Sequence, residues 1–457
     1  MHVSLRYGTG SFNLALSGRT AVRIAGGASA PPLPDERASL AAALERPVAS
    51  LPIDRILPRT GTVAVLISDI TRGAAAARLL GPLLEELERN GAGPERVVVV
   101  LALGLHRGSG GAGLESHVGA RVLARWTVME HDARDGGSLV DVGTTARGTP
   151  CILNRAAVDA SFVIALGSVA FHYFAGYGGA RKLILPGIAA ERTILANHRL
   201  SLRADAGSGL AAGCRPGVLD GNPVHEDMLE GARLVGTRML AVNVVAGGGG
   251  EALFINAGEL DASHRAACAF LSSHMRVPVA RRYPAVILSA GGFPKDMNLL
   301  QSHKAIRHAS YALEEGGLML AAAECREGVG SDSYADAFAE GRLAVPGRVR
   351  GRYTPNAQAA MSTYELAARF SIYLKSAMDD ALAGKFGFGP WKDGYERYLL
   401  AGLADDEILV LENASLFLPE TEAGADRGAA PPSGARFSPA PRNGAAEWSC
   451  RPGRSVV

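Results

Sequence analysis

Residues 162–188 read FVIALGSVAFHYFAGYGGARKLILPGI. Phe162–Leu166 is a buried-strand candidate that runs straight into Gly167-Ser168 and then into a loop dense in glycine, histidine and lysine. The same transition recurs three times. Thr62–Ser68 (TVAVLIS) leads into Asp69-Ile70-Thr71-Arg72-Gly73, Arg96–Leu103 (RVVVVLAL) into Gly104-Leu105-His106-Arg107-Gly108, and Pro284–Ser289 (PAVILS) into Ala290-Gly291-Gly292-Phe293-Pro294. After the first of these, leucines at 79, 80, 83, 84 and 87 give Ala74–Arg89 a helical spacing. Strands alternating with helices predict an α/β fold, with mostly parallel sheets flanked by helices. Ligands bind outside the carboxyl ends of such strands. The four loops are therefore expected to converge on one cleft, although any one of them alone reads as an ordinary polar turn.

The pattern continues outward. Residues 3–24 alternate enough for short strands about a Gly8–Gly10 turn, and a Pro/Gly/Ala connector follows over 26–36. Thr127–Glu130, Leu240–Val245 and Gly317–Ala323 are further strand candidates, and Gln301–Leu313 a helix. A chain of 457 residues exceeds one ordinary core, so two domains are expected. The first spans 1–275 and the second 276–420, both α/β, with the active site in the cleft between them. Residues 421–457, rich in Gly, Ala, Pro, Ser and Arg, are expected to form a disordered, dispensable tail.

Composition excludes several classes. Hydrophobic residues make up 47% and charged residues 20%, which is globular, and a net charge of +2 offers no basic field for nucleic acid or an anionic membrane. The five cysteines are scattered with no CxxC pair, as expected for reduced thiols in a cytoplasmic protein. The start of the chain lacks the pattern of a signal peptide, and no apolar stretch suits a membrane span.

Within the loop after Phe162–Leu166, Gly176, Gly178 and Gly179 permit close backbone approach to a ligand, and such a loop presents N–H groups to a phosphate. It is neither GxxxxGK[ST] nor GxGxxG. His172 beside aromatics suits either a structural or a catalytic role. Lys182 precedes Leu183-Ile184-Leu185, and apolar surroundings lower a lysine pKa and make the amine a usable nucleophile. His198 is a metal-ligand type with no HxxxH partner. Gln301, Lys304 and His308 share one helix face that suits a carboxylate, while His303 is expected to point elsewhere.

These residues resemble the nickel-dependent lactate racemases and their 2-hydroxy-acid racemase and epimerase relatives. The resemblance rests on SDITR (68–72), GLHR (104–107), HYFAGYGGARKLILPGI (172–188), NH (197–198) and QSHK (301–304), in the family's order. Trp391 in GFGPWKDGY is similar to an aromatic found late in the family. Two positions depart from the pattern. Gly73 stands where the family usually has Pro, and AGYGGA (175–180) where it usually has AGYSGG, which touches the phosphate contacts.

The resemblance implies nickel held by a pyridinium-3,5-bisthiocarboxylic acid mononucleotide, the nickel-pincer nucleotide, bound by the first domain. It implies Lys182 as the covalent attachment point, with Gly176, Gly178 and Gly179 as cofactor contacts. His198 would ligate the metal, His106 and His172 would be the acid/base pair, and Asp69, Arg72, Gln301 and Lys304 would line the substrate site. Cofactor-synthesis proteins would be loading partners, and a small 2-hydroxy acid the substrate.

The residue types suit that task. Removing the C2 proton of a 2-hydroxy acid is hard beside a carboxylate, whereas oxidation to the 2-keto acid and re-reduction avoids a carbanion. That route needs a base for the hydroxyl, a hydride acceptor and a carboxylate clamp. Histidine, guanidinium and ammonium groups supply the first and the last. Two other readings stay open: a zinc hydrolase using His106, His172 and His198, which leaves Lys182 without a role, and a protein that binds a hydroxy acid without turnover.

Overall fold

The structure, a computed structural model, describes residues 2–16, 23–24, 30–69, 74–106, 108, 110–205 and 207–421. Arg72, Gly73 and the tail beyond 421 lie outside the described residues.

The chain opens with the expected hairpin, β1 (His2–Tyr7) against β2 (Gly10–Ala15), and β3 (Arg23–Ile24) follows. Alternation sends Val3, Leu5, Leu14 and Leu16 to one face, where they pack against Ala285, Ile287, Leu320 and Val410 of the later sheet. The hairpin and β3 thus sit with the second sheet. The sequence reading had grouped them with the first unit because alternation says which face is apolar, not which sheet will cover it.

The first large sheet contains β4 (Val63–Ser68), β5 (Val97–Ala102) and β6 (Thr127–Glu130). A hairpin the sequence reading did not mark, β7 (Leu139–Thr144) with β8 (Pro150–Asn154), precedes β9 (Phe162–Val169). A two-residue ladder of β10 (Phe171–His172) and β11 (Gly176–Tyr177) follows, then β12 (Met239–Ala246) and β13 (Ala252–Gly258). The sheet order is β13-β12-β9-β4-β5-β6, all parallel except β13. Every residue of β4 is buried because both faces are covered. Ala64 and Leu66 join one core, while Val63, Val65 and Ile67 join another. Helix Ala74–Arg89 closes the second core with Leu79, Leu80, Leu83, Leu84 and Leu87, each contributing about 1.5–3 kcal/mol of burial.

Helix Leu260–Met275 runs up to the expected division at 275/276, and β14 (Arg276–Val279) follows it directly. The second sheet is built from β15 (Tyr283–Ser289), β16 (Leu313–Ala322), β17 (Ser371–Lys375), β18 (Gly389–Pro390) and β19 (Ile408–Leu411). Its order, β18-β17-β16-β15-β19-β3, is wholly parallel. The last strand, β20 (Leu418–Thr421), returns to pair with β14. The expected α/β class with mostly parallel sheets is therefore what forms. The helix expected over 301–313 spans Leu299–Ala309 plus a short 3-10 turn. Cys151, Cys214, Cys268 and Cys325 are free and buried. No helix among the described residues is long and apolar enough to cross a membrane.

Candidate active site

A cavity of about 1020 Å³ opens at the carboxyl ends of β4, β5 and β9 and is walled on its other side by helix Leu299–Ala309. Asp69, His106, His172, Lys182, His198, Gln301 and Lys304 all line it, as do Gly178 and Gly179. Gly176 does not.

The loop after β4 presents Asp69, which is 5% exposed, to the loop after β5, where its carboxylate pairs with His106 Nδ1. A carboxylate only accepts, so Nδ1 holds a proton, and in the neutral ring Nε2 keeps the lone pair. His172 is set the other way. It ends β10, where its Nδ1 accepts from the Ala175 N–H of the β10–β11 turn at 3.3 Å, so the neutral ring carries its proton on Nε2. The two imidazoles thus offer opposite tautomers to one cavity: a lone pair from His106 and an N–H from His172.

His198 ends helix Glu191–Arg199 and is oriented by a chain of buried groups. Thr145 Oγ1 donates to Asp227 Oδ1 at 2.5 Å, and Asn197 Nδ2 donates to Asp227 Oδ2 at 2.8 Å. That fixes the Asn197 amide with Oδ1 toward His198 Nδ1, 3.2 Å away. Nδ1 therefore donates and Nε2 keeps a lone pair, the state a metal ligand needs and the outer support such ligands commonly have. Nothing in the sequence reading pointed to Asp227, because it lies 29 residues beyond His198 on helix Pro223–Arg233.

Phe174 gathers three candidate residues. Lys182 Nζ lies 5.4 Å from its ring centroid, His172 meets it edge-on at 4.7 Å, and His198 packs against it at 5.0 Å. The glycine loop is held from behind by Arg181, which is fully buried. Its guanidinium donates to the carbonyls of Ala175, Tyr177 and Gly178, and Nε donates to His225 Nδ1 at 2.7 Å. Burial pushes the Arg181 pKa down to about 10, and burial beside Arg181 pushes His225 down to about 3, so His225 stays a neutral acceptor. Sequence reasoning passed over Arg181, since a cation beside Lys182 looks like a second solvated charge. Two of the loop glycines answer to protein neighbours. At Gly176 (φ +75°) a Cβ would lie 1.9 Å from the Val218 carbonyl oxygen, and at Gly179 (φ +112°) 2.5 Å from the His264 ring.

On the opposite wall Lys304 donates to Gln301 Oε1. Two expectations for this helix fail. His303 does line the cavity, packed edge-on against Tyr173 at 4.6 Å. His308 faces away, its Nδ1 3.0 Å from the Ala414 carbonyl. Seven residues advance about 10 Å along the helix, which places His308 two turns beyond Gln301 and against Ala414, while His303 lines the cavity beside Tyr173. Trp391 is likewise outside the cavity, buried against Phe12 at 5.5 Å under the first hairpin. Among the described residues no three His, Cys, Asp or Glu side chains converge as a metal site, so His106, His172 and His198 do not form the three-histidine cluster the zinc reading needs.

Residues 7–209 match the lactate racemase N-terminal domain, and residues 280–350 the lactate racemase C-terminal domain. The lactate racemase of Thermoanaerobacterium thermosaccharolyticum is 31% identical over 300 residues, covering 66% of this chain and 68% of that protein. That of Lactiplantibacillus plantarum is 29% identical over 300 residues, covering 65% and 68%. In three dimensions the fold is similar to the lactate racemase apoprotein of T. thermosaccharolyticum, with a TM-score of 0.80 at 24% identity, over 92% of this chain and 100% of that one. A crystal structure of a Thermotoga maritima protein gives a TM-score of 0.62 at 15% identity, over 85% and 97%. With both domains matched in order and a relative above 30% identity over two thirds of its length, the chain belongs to the lactate racemase family and is an isomerase.

Proposed function

We propose that the protein interconverts the two configurations at C2 of a small 2-hydroxy acid such as lactate, with a nickel-pincer nucleotide bound in the cleft. The observation that carries this reading is that side chains from five separated motifs, Asp69, His106, His172–Lys182, His198 and Gln301–Lys304, line one cavity. The residues present fit such a group. The amine of Lys182 lies in the cavity beside the Phe174 ring, His198 offers a lone pair fixed by Asn197, and the buried Ser168 hydroxyl on the same wall has no protein partner. Lys182 would hold the nucleotide covalently and His198 would ligate its nickel, while Gly178 and Gly179 let the loop approach it. When bound, the cofactor supplies a reversible hydride acceptor, which neither imidazole nor carboxylate can be.

The chain's own residues supply the rest. Lys304 and Gln301 bind the substrate carboxylate, joined by Arg72 of the SDITR motif. His106 takes the hydroxyl proton at Nε2, and Asp69 stabilises the imidazolium that results. His172 donates Nε2–H as a hydrogen bond to the oxygen of the 2-keto acid and stays neutral, and His106 returns its proton from Nε2 to the alkoxide of the inverted product. The reverse direction uses the same two groups. The proton taken up is the proton given back, so turnover in either direction leaves both rings neutral.

Deuterium separates this route from a carbanion. In D₂O, an accepted hydroxy acid is expected to invert while keeping protium at C2, because a hydrogen carried as hydride does not meet solvent. A C2 proton passed through His106 or His172 would exchange. Substantial C2 deuterium in the first turnovers overturns the proposal.

A further inference from the structure

Among the described residues, eight buried side-chain polar atoms have no hydrogen-bond partner, and only two of them belong to residues lining the cleft: Ser168 Oγ and His303 Nε2. The two sit on opposite walls, one at the end of β9 and one on helix Leu299–Ala309. Buried polar groups are rarely left unpaired, so an orphan on a cavity wall marks where a ligand atom belongs.

His303 can be read to the atom. Its Nδ1 lies 2.6 Å from the Leu300 carbonyl, which only accepts, so Nδ1 carries the proton. The ring is fully buried, and burial pushes its pKa down to about 3, so it is neutral. Nε2 is left with a bare lone pair, and it is the only polar atom His303 can offer the cavity. A lone pair repels a carboxylate and cannot pair with the Gln301 carbonyl oxygen. It accepts from a hydroxyl. Gln301 and Lys304 flank it on the same helix, so a carboxylate clamp and a hydroxyl acceptor stand on one rigid element.

We propose that His303 is a ligand-binding residue whose Nε2 accepts a hydrogen bond from a hydroxyl of the small molecule in the cleft. The identification of that hydroxyl as the substrate's rests on the racemase reading above: its single proton is donated to His303 in the bound complex and turns to His106 Nε2 for the chemical step. A ribose hydroxyl of the nucleotide has the same chemistry and is the other source.

The test uses the full chain, with and without cofactor loading, and follows the His303 imidazole ¹⁵N signals. Hydrogen bonding at a bare imidazole nitrogen moves its signal upfield. Racemic lactate is expected to move the Nε2 signal, while propionate, which has the carboxylate without the hydroxyl, leaves it in place. If nicotinic acid mononucleotide moves it and lactate does not, the acceptor role stands and the hydroxyl is ribose. If no probe moves it, the proposal is overturned. In the loaded enzyme His303→Asn, which keeps the donor to Leu300 but loses the acceptor, is expected to raise KM about tenfold, and His303→Gln, which restores an acceptor at the Nε2 position, by less than about threefold. Equal losses in both variants would show a packing role only. The ¹⁵N response does not require turnover, so failure of the racemase reading is distinguishable from failure of this one.

Discussion

The two walls of the cleft are built differently. On the first-sheet side, each of the three candidate histidines is the end of a short hydrogen-bonded chain: Asp69 to His106, Ala175 to His172, and Asp227 through Asn197 to His198. Each chain decides which ring nitrogen holds a proton. On the other side, one helix presents Gln301, His303 and Lys304, with Lys304 donating to Gln301 and His303 held by the Leu300 carbonyl and Tyr173. Loops at strand ends can be tuned one at a time, and so suit proton transfer. A helix face sets spacing, and so suits gripping a small molecule. The first wall should therefore govern the rate and the second the affinity.

Lys182→Ala is the largest expected break. Without the amine there is no covalent attachment, so intact mass should equal the sequence mass and activity should fall to background. Wild-type holoprotein should carry its extra mass on the peptide containing Lys182. Full activity without that adduct would remove the cofactor assignment from the first wall.

Next come paired variants across the cleft. His106→Ala and His172→Ala are each expected to lower kcat by at least about a hundredfold while keeping nickel, whereas His198→Ala loses nickel. Lys304→Ala, which removes a charge-assisted contact, should instead raise KM about tenfold to a hundredfold. Steady-state kinetics with metal analysis reads all four. A Lys304 variant that lost kcat at unchanged KM would erase the division between the walls.

A smaller effect spans both walls. Burial holds His225 and His303 down to about 3 and His308 to about 4, so all three fold neutral. The unfolded chain binds protons at these rings below about 6.5, the folded chain only near those lower values. Stability contributed by the neutral rings is thus complete above pH 6.5 and is lost as pH falls toward 4, by up to about 1.4 kcal/mol per pH unit for each ring. Denaturant titrations at pH 7.5, 6 and 5 should show a progressive fall. A flat profile would mean these rings are not held neutral.

The fold was readable wherever both faces of a strand are buried, because β4, β5 and β9 then appear as continuous apolar runs. The β7–β8 hairpin escaped, since most of β7 is half-buried or exposed and its pattern is mixed. For the site, polar residues immediately after a buried strand were legible: Asp69 and His106 follow directly from β4 and β5. Residues that act from behind were not. Arg181 and Asp227 do not line the cavity and gain their roles only when distant segments meet. His303 was misplaced because helical spacing alone cannot show that Tyr173 leans against it.

The smallest expected effect lies in the glycine loop, where three glycines looked equivalent in the sequence. Gly176 and Gly179 have positive φ, and a Cβ at either would strike the Val218 carbonyl or the His264 ring. Gly178 differs. A Cβ there would meet the Ser168 carbonyl oxygen at 3.0 Å and Ala170 N at 3.6 Å, a tight fit that a shift of a few tenths of an ångström relieves. Gly178→Ser, which restores the serine that relatives usually carry, should cost no more than about 1–3 kcal/mol, the usual range for mild overpacking, and leave kcat within a few-fold. Gly179→Ala should be far worse, since strain and collision add at one site with Arg181 locked behind it. Thermal melts of the two variants decide the point. If Gly178→Ser unfolds as readily as Gly179→Ala, then the loop tolerates no side chain anywhere, and the departure at 178 reflects packing on the first wall rather than a freedom this chain has taken.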